Sequence, residues 1–214
     1  MKTAIALIAA AGSIASADVV INEVLGSTTS TDTEFVELYN GGASAVSLDG
    51  WSIELWDSDS TSSGFGGADG FQVLDLSGFS IDAGGYFLAA NDTFNQFFTA
   101  NVDLAFADNG IENGSYTIIL KNNGVAVNTI LVSDDDGVAN EAGVAVTPDL
   151  SIGPDGSFLP AGFYRVGDGS DTLALLEFSP RPAPSATPGA ANIPAPAALA
   201  VLGLGGIAAG RRRR

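Results

Sequence analysis

Turn-forming residues interrupt this chain roughly every ten residues. With 27 Gly in 214 residues, few stretches can make a long helix. Between the turns lie short segments with strand character. Residues 19–25 alternate and begin with β-branched Val19 and Val20. Glu34-Phe35-Val36-Glu37-Leu38-Tyr39 sets Phe35 beside Glu34 and Val36 beside Glu37. Residues 46–56 carry Val46 and Leu48, then Trp51, Ile53 and Leu55, at a spacing of two. Tyr86-Phe87-Leu88-Ala89-Ala90 is a buried-type run. Residues 116–120 and 125–132 flank Asn122-Asn123-Gly124, a hairpin signal because Asn and Gly tolerate positive φ. Residues 173–178 close the series, and residues 93–99, with Phe94, Phe97 and Phe98, make the one plausible short helical turn. Many short strands between regular turns predict an all-β sandwich or barrel. The 2 Trp, 4 Tyr and 12 Phe, with the aliphatic residues, suffice for one such core. No repeat of fixed period points to a propeller or solenoid.

Composition narrows the chemistry. The chain has no Cys, so it has no disulfide framework, thiolate nucleophile or Cys-bound zinc. It has no His, which removes a Ser-His triad, an HExxH zinc helix and an imidazole base. A formal charge of −17 argues against a nucleic-acid partner, whose phosphates need a basic footprint.

The two ends read as appendages. Lys2 precedes an apolar run over residues 4–14, and Ala15-Ser16-Ala17 fits the small-residue cleavage rule, so residues 1–17 are expected to be an export signal cut after Ala17. The run is short for a bilayer span. At the other end, Ile193-Pro194-Ala195-Pro196 precedes an apolar stretch over residues 197–210 and then Arg211, Arg212, Arg213 and Arg214. The stretch is marginal as a permanent transmembrane helix, and Gly203, Gly205 and Gly206 weaken it. The arginines would remain cytoplasmic, leaving everything upstream outside. This order of Pro motif, short apolar helix and Arg cluster over residues 193–214 resembles the bacterial PEP-CTERM sorting signal, with Ala195 in place of the usual Glu. The resemblance implies an exosortase-like processing enzyme, the export machinery and a transient membrane association as partners. A plain tail anchor is the simpler alternative.

Between the ends, residues 18–192 keep all 25 acids and only Lys121, Arg165 and Arg181, a net of 3 − 25 = −22. Such a surface stays soluble and attracts divalent cations. Here the motifs reach a second family. Val20-Ile21-Asn22-Glu23-Val24, then Glu34-Phe35-Val36-Glu37-Leu38-Tyr39-Asn40, then Leu48-Asp49-Gly50-Trp51 follow the order and spacing of a lamin tail domain. Ile81-Asp82-Ala83-Gly84-Gly85-Tyr86-Phe87-Leu88 fits its next hairpin. Ser151-Ile152-Gly153 and Ala186-Thr187-Pro188-Gly189-Ala190-Ala191-Asn192 are similar to the closing pattern of bacterial members. The resemblance implies an immunoglobulin-like β-sandwich over residues 18–192 and brings no catalytic residues with it. In the residues themselves, Trp51 after Asp49-Gly50 can anchor a core, and Asn40-Gly41-Gly42 permits a turn. Glu23, Glu34 and Glu37 can form an acidic cluster on one sheet face, but alternation reads them more simply as the solvent-facing halves of their strands.

The sharpest local chemical signal is Asp134-Asp135-Asp136-Gly137, within the acidic insert 133–143. Asp134, Asp136 and Glu141 can offer oxygen ligands to calcium on a loop turned by Gly137, although EF-hand spacing is absent and a solvated acidic loop is the simpler reading. Asp57 and Asp59, in the insert 57–70, are a weaker pair. A glycosidase needs two carboxylates across a cleft, and with 25 acids some pair always exists. A metal nuclease usually needs a His or Lys for phosphate, and Lys121 reads as an ordinary turn residue. The sequence thus predicts no enzyme and no cofactor beyond possible calcium. It predicts an exported, surface-sorted β-sandwich with a structural or recognition role. Two alternatives remain, a calcium-dependent extracellular binding module and a secreted carboxylate hydrolase.

Overall fold

The computed structural model describes residues 19–26, 33–58, 71–133, 147–152, 162–176 and 186–192. In chain order the strands are β1 (Val19–Leu25), β2 (Phe35–Asn40), β3 (Val46–Ser47), β4 (Trp51–Asp57), β5 (Phe71–Asp75), β6 (Ser80–Ile81), β7 (Tyr86–Ala90), β8 (Leu104–Ala105), β9 (Tyr116–Asn122), β10 (Val125–Ser133), β11 (Leu150–Ser151), β12 (Gly162–Arg165) and β13 (Leu173–Leu176). One sheet runs β13-β12-β1-β2-β7-β8 and the other β11-β10-β9-β4-β5, with β3 and β6 forming a two-stranded ladder. Among the described residues both large sheets are open at their edges, which makes a sandwich and not a barrel.

Period-two patterning builds the interior. Trp51, Ile53 and Leu55 of β4 point inward while Ser52 and Glu54 are half-buried on the other side. They meet Val36 and Leu38 of β2, Phe87 and Ala89 of β7, and Tyr116, Ile118 and Leu120 of β9 in one core between the sheets. A bulge between Ile21 and Glu23 breaks the alternation of β1. The extra residue, Asn22, lets Ile21 and Val24 both face this core, while Glu23 and Leu25 turn to the outer face. Arg165 of β12 locks the bulge. Its Nε donates to the Ile21 carbonyl at 2.7 Å and its Nη2 to Asn128 Oδ1 at 3.2 Å, and that same Oδ1 accepts from the Ile21 N–H at 2.9 Å. Asn128 sits at the bulge of β10, so one polar knot joins irregularities in both sheets.

The outer face of the six-stranded sheet carries a second apolar cluster of Leu25, Phe35, Leu88, Ala90, Phe94, Tyr164 and Leu176. Phe94 comes from a single 3-10 turn, Phe94–Gln96, and stacks on Phe98 at 5.0 Å. Both rings stand edge-on to Phe35 at 5.7 Å. This turn is the helical piece predicted over residues 93–99.

Several expectations are corrected in detail. Residues 46–56 divide into β3 and β4 at Asp49-Gly50, the turn-to-strand transition that precedes Trp51. The Trp51 N–H bonds back to the Leu48 carbonyl at 2.9 Å, and Gly50 takes φ 76°, a turn that alternation alone does not reveal. Lys121 is not a turn residue; it lies in β9 and pairs with Glu54 of β4 at 2.6 Å. β5, β6, β8, β11 and β12 were not expected, and β6, β8 and β11 are only two residues long.

Candidate functional site

The outer face of the six-stranded sheet is apolar at one end and acidic at the other. Glu23 and Glu37 are direct cross-strand partners, and both are fully buried. The expectation that Glu23, Glu34 and Glu37 face solvent is therefore overturned, since Glu34 is fully buried too. What covers Glu23 and Glu37 is the strap of residues 186–192, which crosses the sheet at its acidic end.

The strap supplies backbone donors to three carboxylates. The Thr187 N–H straddles the two oxygens of Glu23 at 3.1 and 3.2 Å. The Gly189 N–H donates to Glu37 Oε2 at 2.6 Å, and the Asn192 N–H to Asp168 Oδ1 at 3.0 Å. From below, the Asn22 amide lifted by the bulge donates to Glu37 Oε1 at 2.8 Å and to Asp168 Oδ1 at 3.1 Å. The Tyr86 hydroxyl of β7 donates to Asp168 Oδ2 at 2.6 Å. Asp168 sits in the turn after β12, where the Gly169 N–H returns a bond to Asn22 Oδ1 at 3.2 Å. Thr187 and Asn192 brace the strap itself, hydroxyl to Oδ1, at 2.9 Å.

All six oxygens of Glu23, Glu37 and Asp168 thus accept an internal hydrogen bond. Among the described residues no cationic side chain touches them. Burial, reinforced by Glu37, pushes the Glu23 carboxyl well above its ordinary range. Burial pushes Glu37 up to about 7, against the bonds from Asn22 and Gly189 that pull it down. The Tyr86 phenol is likewise held high by burial and by its bond to Asp168.

Beside the strap lies an open groove of about 490 Å³, lined by Tyr86, Leu88, residues 99–101 and Asp103 on one side and by Pro188 and Gly189 on the other. The strap therefore forms one of its walls. Asp103 is committed in part to the fold, since its Oδ2 accepts the Leu88 N–H at 2.8 Å.

Glu34 lies apart from this cluster. Its two oxygens accept the Gly110 and Ile111 N–H groups, each at 2.9 Å, and so tie down the loop before β9. The structure brings Glu23 and Glu37 together and leaves Glu34 elsewhere.

A family model, Lamin Tail Domain, matches residues 13–134. The chain belongs to the lamin tail domain family. No curated protein matches it. The lamin tail match spans β1 to β10, so the core strands and the Glu23–Glu37 pair fall inside it. Asp168 and the strap lie beyond its end, yet they complete the acidic cluster built on the lamin tail strands.

Sequence reasoning missed Asn22, Tyr86, Asp168, Thr187 and Asn192. One signal was available: Asn22-Glu23 interrupts the strand Val19–Leu25, which is otherwise entirely apolar. Of the other sequence candidates, Asp57 ends β4 and the rest fall outside the described residues. These are Ala15 and Ala17 of the export signal, the ligands Asp134, Asp136 and Glu141, Asp59, and the tail with Ile193, Pro194, Ala195, Pro196 and Arg211 to Arg214.

Proposed function

We propose that this lamin tail domain is an exported, non-catalytic β-sandwich with a structural or recognition role at the cell envelope or in the extracellular matrix. The carrying observation is the state of Glu23, Glu37 and Asp168. They lie beneath the strap, with every oxygen engaged by a donor of the fold. Carboxylates so occupied hold the chain in place and present nothing to a substrate. The groove exposes one carboxylate among the described residues, Asp103, where glycoside hydrolysis needs two.

Export and sorting complete the reading. Residues 1–17 serve as the signal and residues 193–214 as a PEP-CTERM-like segment handled by an exosortase-like enzyme, with Arg211 to Arg214 holding the tail at the cytoplasmic side. Fractionation of cells expressing the full chain, with and without Arg211 to Arg214, tests this. The intact chain is expected in the envelope or medium as a shortened product, and the Arg-less chain is expected to be unprocessed. Identical fates for both would remove the sorting role. A glycan and protein-partner screen on residues 18–192 then tests recognition, and a hydrolytic activity abolished by Asp103→Asn would overturn the non-catalytic reading.

A further inference from the structure

The strap has an unusual partner set. Its N–H groups at Thr187, Gly189 and Asn192 each reach a different carboxylate on a different element: Glu23 on β1, Glu37 on β2 and Asp168 in the turn after β12. The other titratable groups facing the cluster are Tyr39 on β2, Tyr86 on β7 and Tyr164 on β12, with Asp103 across the groove. The strap brings no titratable side chain of its own, and no described cation balances the acids.

Glu23 and Glu37, adjacent and fully buried, cannot both ionise cheaply, because each charge loses water and repels the other. The N–H bonds from the strap favour the ionised form, but burial outweighs them at Glu23 and Glu37, so a proton on either group favours the closed strap. Ionised, they are relieved by water, and the strap is the layer standing between them and the solvent. We propose that residues 186–192 form a proton-controlled latch, closed while Glu23 and Glu37 retain protons and released as they ionise, which opens the outer sheet face and detaches Asn192 from the fold.

Release has two structural consequences. It removes the Pro188 and Gly189 wall of the groove. It also detaches seven residues from the sandwich, roughly 25 Å of extended chain. Asn192 is buried and is the residue just before Ile193-Pro194-Ala195-Pro196. A processing enzyme needs extended chain on both sides of its cut, so a closed latch holds one side against the fold. The direction agrees with the raised carboxyls of Glu23 and Glu37: a proton bound more tightly in the closed state favours closure at low pH and opening as pH rises. The latch does not depend on the sorting reading, because it is judged on residues 186–192 alone.

Hydrogen exchange of the full chain at constant ionic strength, corrected for intrinsic exchange rates, tests the latch between about pH 5 and about pH 8. The expected result is that protection over residues 186–192 falls by at least roughly tenfold across that range, while β4 and β9 keep theirs. Glu23→Gln retains one oxygen for the Thr187 N–H and removes a charge, so the fall is expected to shrink. Strap protection that is constant with pH, or that falls in parallel with β4 and β9, overturns the latch. So does a fall of unchanged size in Glu23→Gln. The wild-type profile alone can refute it, so the test survives a variant that does not fold.

Discussion

At the scale of single residues, three glutamates that look alike in sequence do different things. Glu34 is an acceptor with a fixed task, taking the N–H groups of Gly110 and Ile111 in a buried site. Removing it strands both donors where water cannot compensate them. Glu34→Ala is therefore expected to lower stability by about 3 kcal/mol or more, read as a shift in the urea midpoint at unchanged slope. Glu37 instead carries a pH dependence. Its carboxyl sits at about 7 when folded and 4.5 when exposed. A group that binds its proton more tightly in the fold stabilises it fully below the unfolded value and loses that contribution as pH rises through the folded one. Unfolding free energy is thus expected to fall between about pH 4.5 and about pH 7, by on the order of 3 kcal/mol from Glu37 if global unfolding reports it. Urea titrations at several pH values check this, and stability that rises through that window contradicts it. None of this was legible in the sequence. Alternation places Glu37 on the face opposite Val36 and Leu38, but not Glu23, which reaches that face through the bulge after Ile21, nor Glu34, whose oxygens meet Gly110 and Ile111 elsewhere. It could not say that the same face is roofed by residues far along the chain; the bond from Asn192 to the Asn22 carbonyl spans 170 positions.

At the scale of elements, what the sequence revealed depended on local determinism. The β9–β10 hairpin was legible because Asn123 and Gly124 both adopt positive φ, 48° and 78°, a demand that few other pairs meet. The alternating apolar positions of β4 and the helical turn with Phe94 were legible for the same reason, since each pattern is complete within a few residues. β6, β8 and β11 were not, because a two-residue strand is defined by its partner and not by its own periodicity. β12 shows a related dependence on the neighbour. Gly162 lies opposite Leu25, and a Cβ there would stand 2.0 Å from the Val24 carbonyl oxygen, which is backbone and cannot swing aside. Gly162→Ala is expected to part β12 from β1 locally and cost several kcal/mol, about 3 or more. Loss of amide protection confined first to β12 and β13 would verify it. Asn128→Ala makes a complementary test. It strips the acceptor shared by Ile21 and Arg165, so the Arg165 guanidinium is left short of a partner in a buried site. Destabilisation of about 2 kcal/mol is expected, visible in the thermal midpoint.

At the scale of the molecule, charge is the dominant long-range term. Residues 18–192 carry 25 acids and three cations, and among the described residues the one ion pair is Lys121 with Glu54. Like charges at this density repel one another across the surface and weaken the compact state. Screening shortens their reach to about 8–10 Å near physiological salt. The thermal midpoint of the full chain is therefore expected to climb as sodium chloride is raised from low concentration and to level off once surface charges are screened. Calcium separates screening from binding. If Asp134, Asp136 and Glu141, which follow β10 in the sequence, hold the ion, calcium chloride will raise the midpoint beyond sodium chloride of equal ionic strength. Replacing all three by Asn or Gln will remove the excess and leave the screening rise. Equal midpoints in the two salts would assign the whole response to the −22 surface and leave the acidic insert as solvated chain.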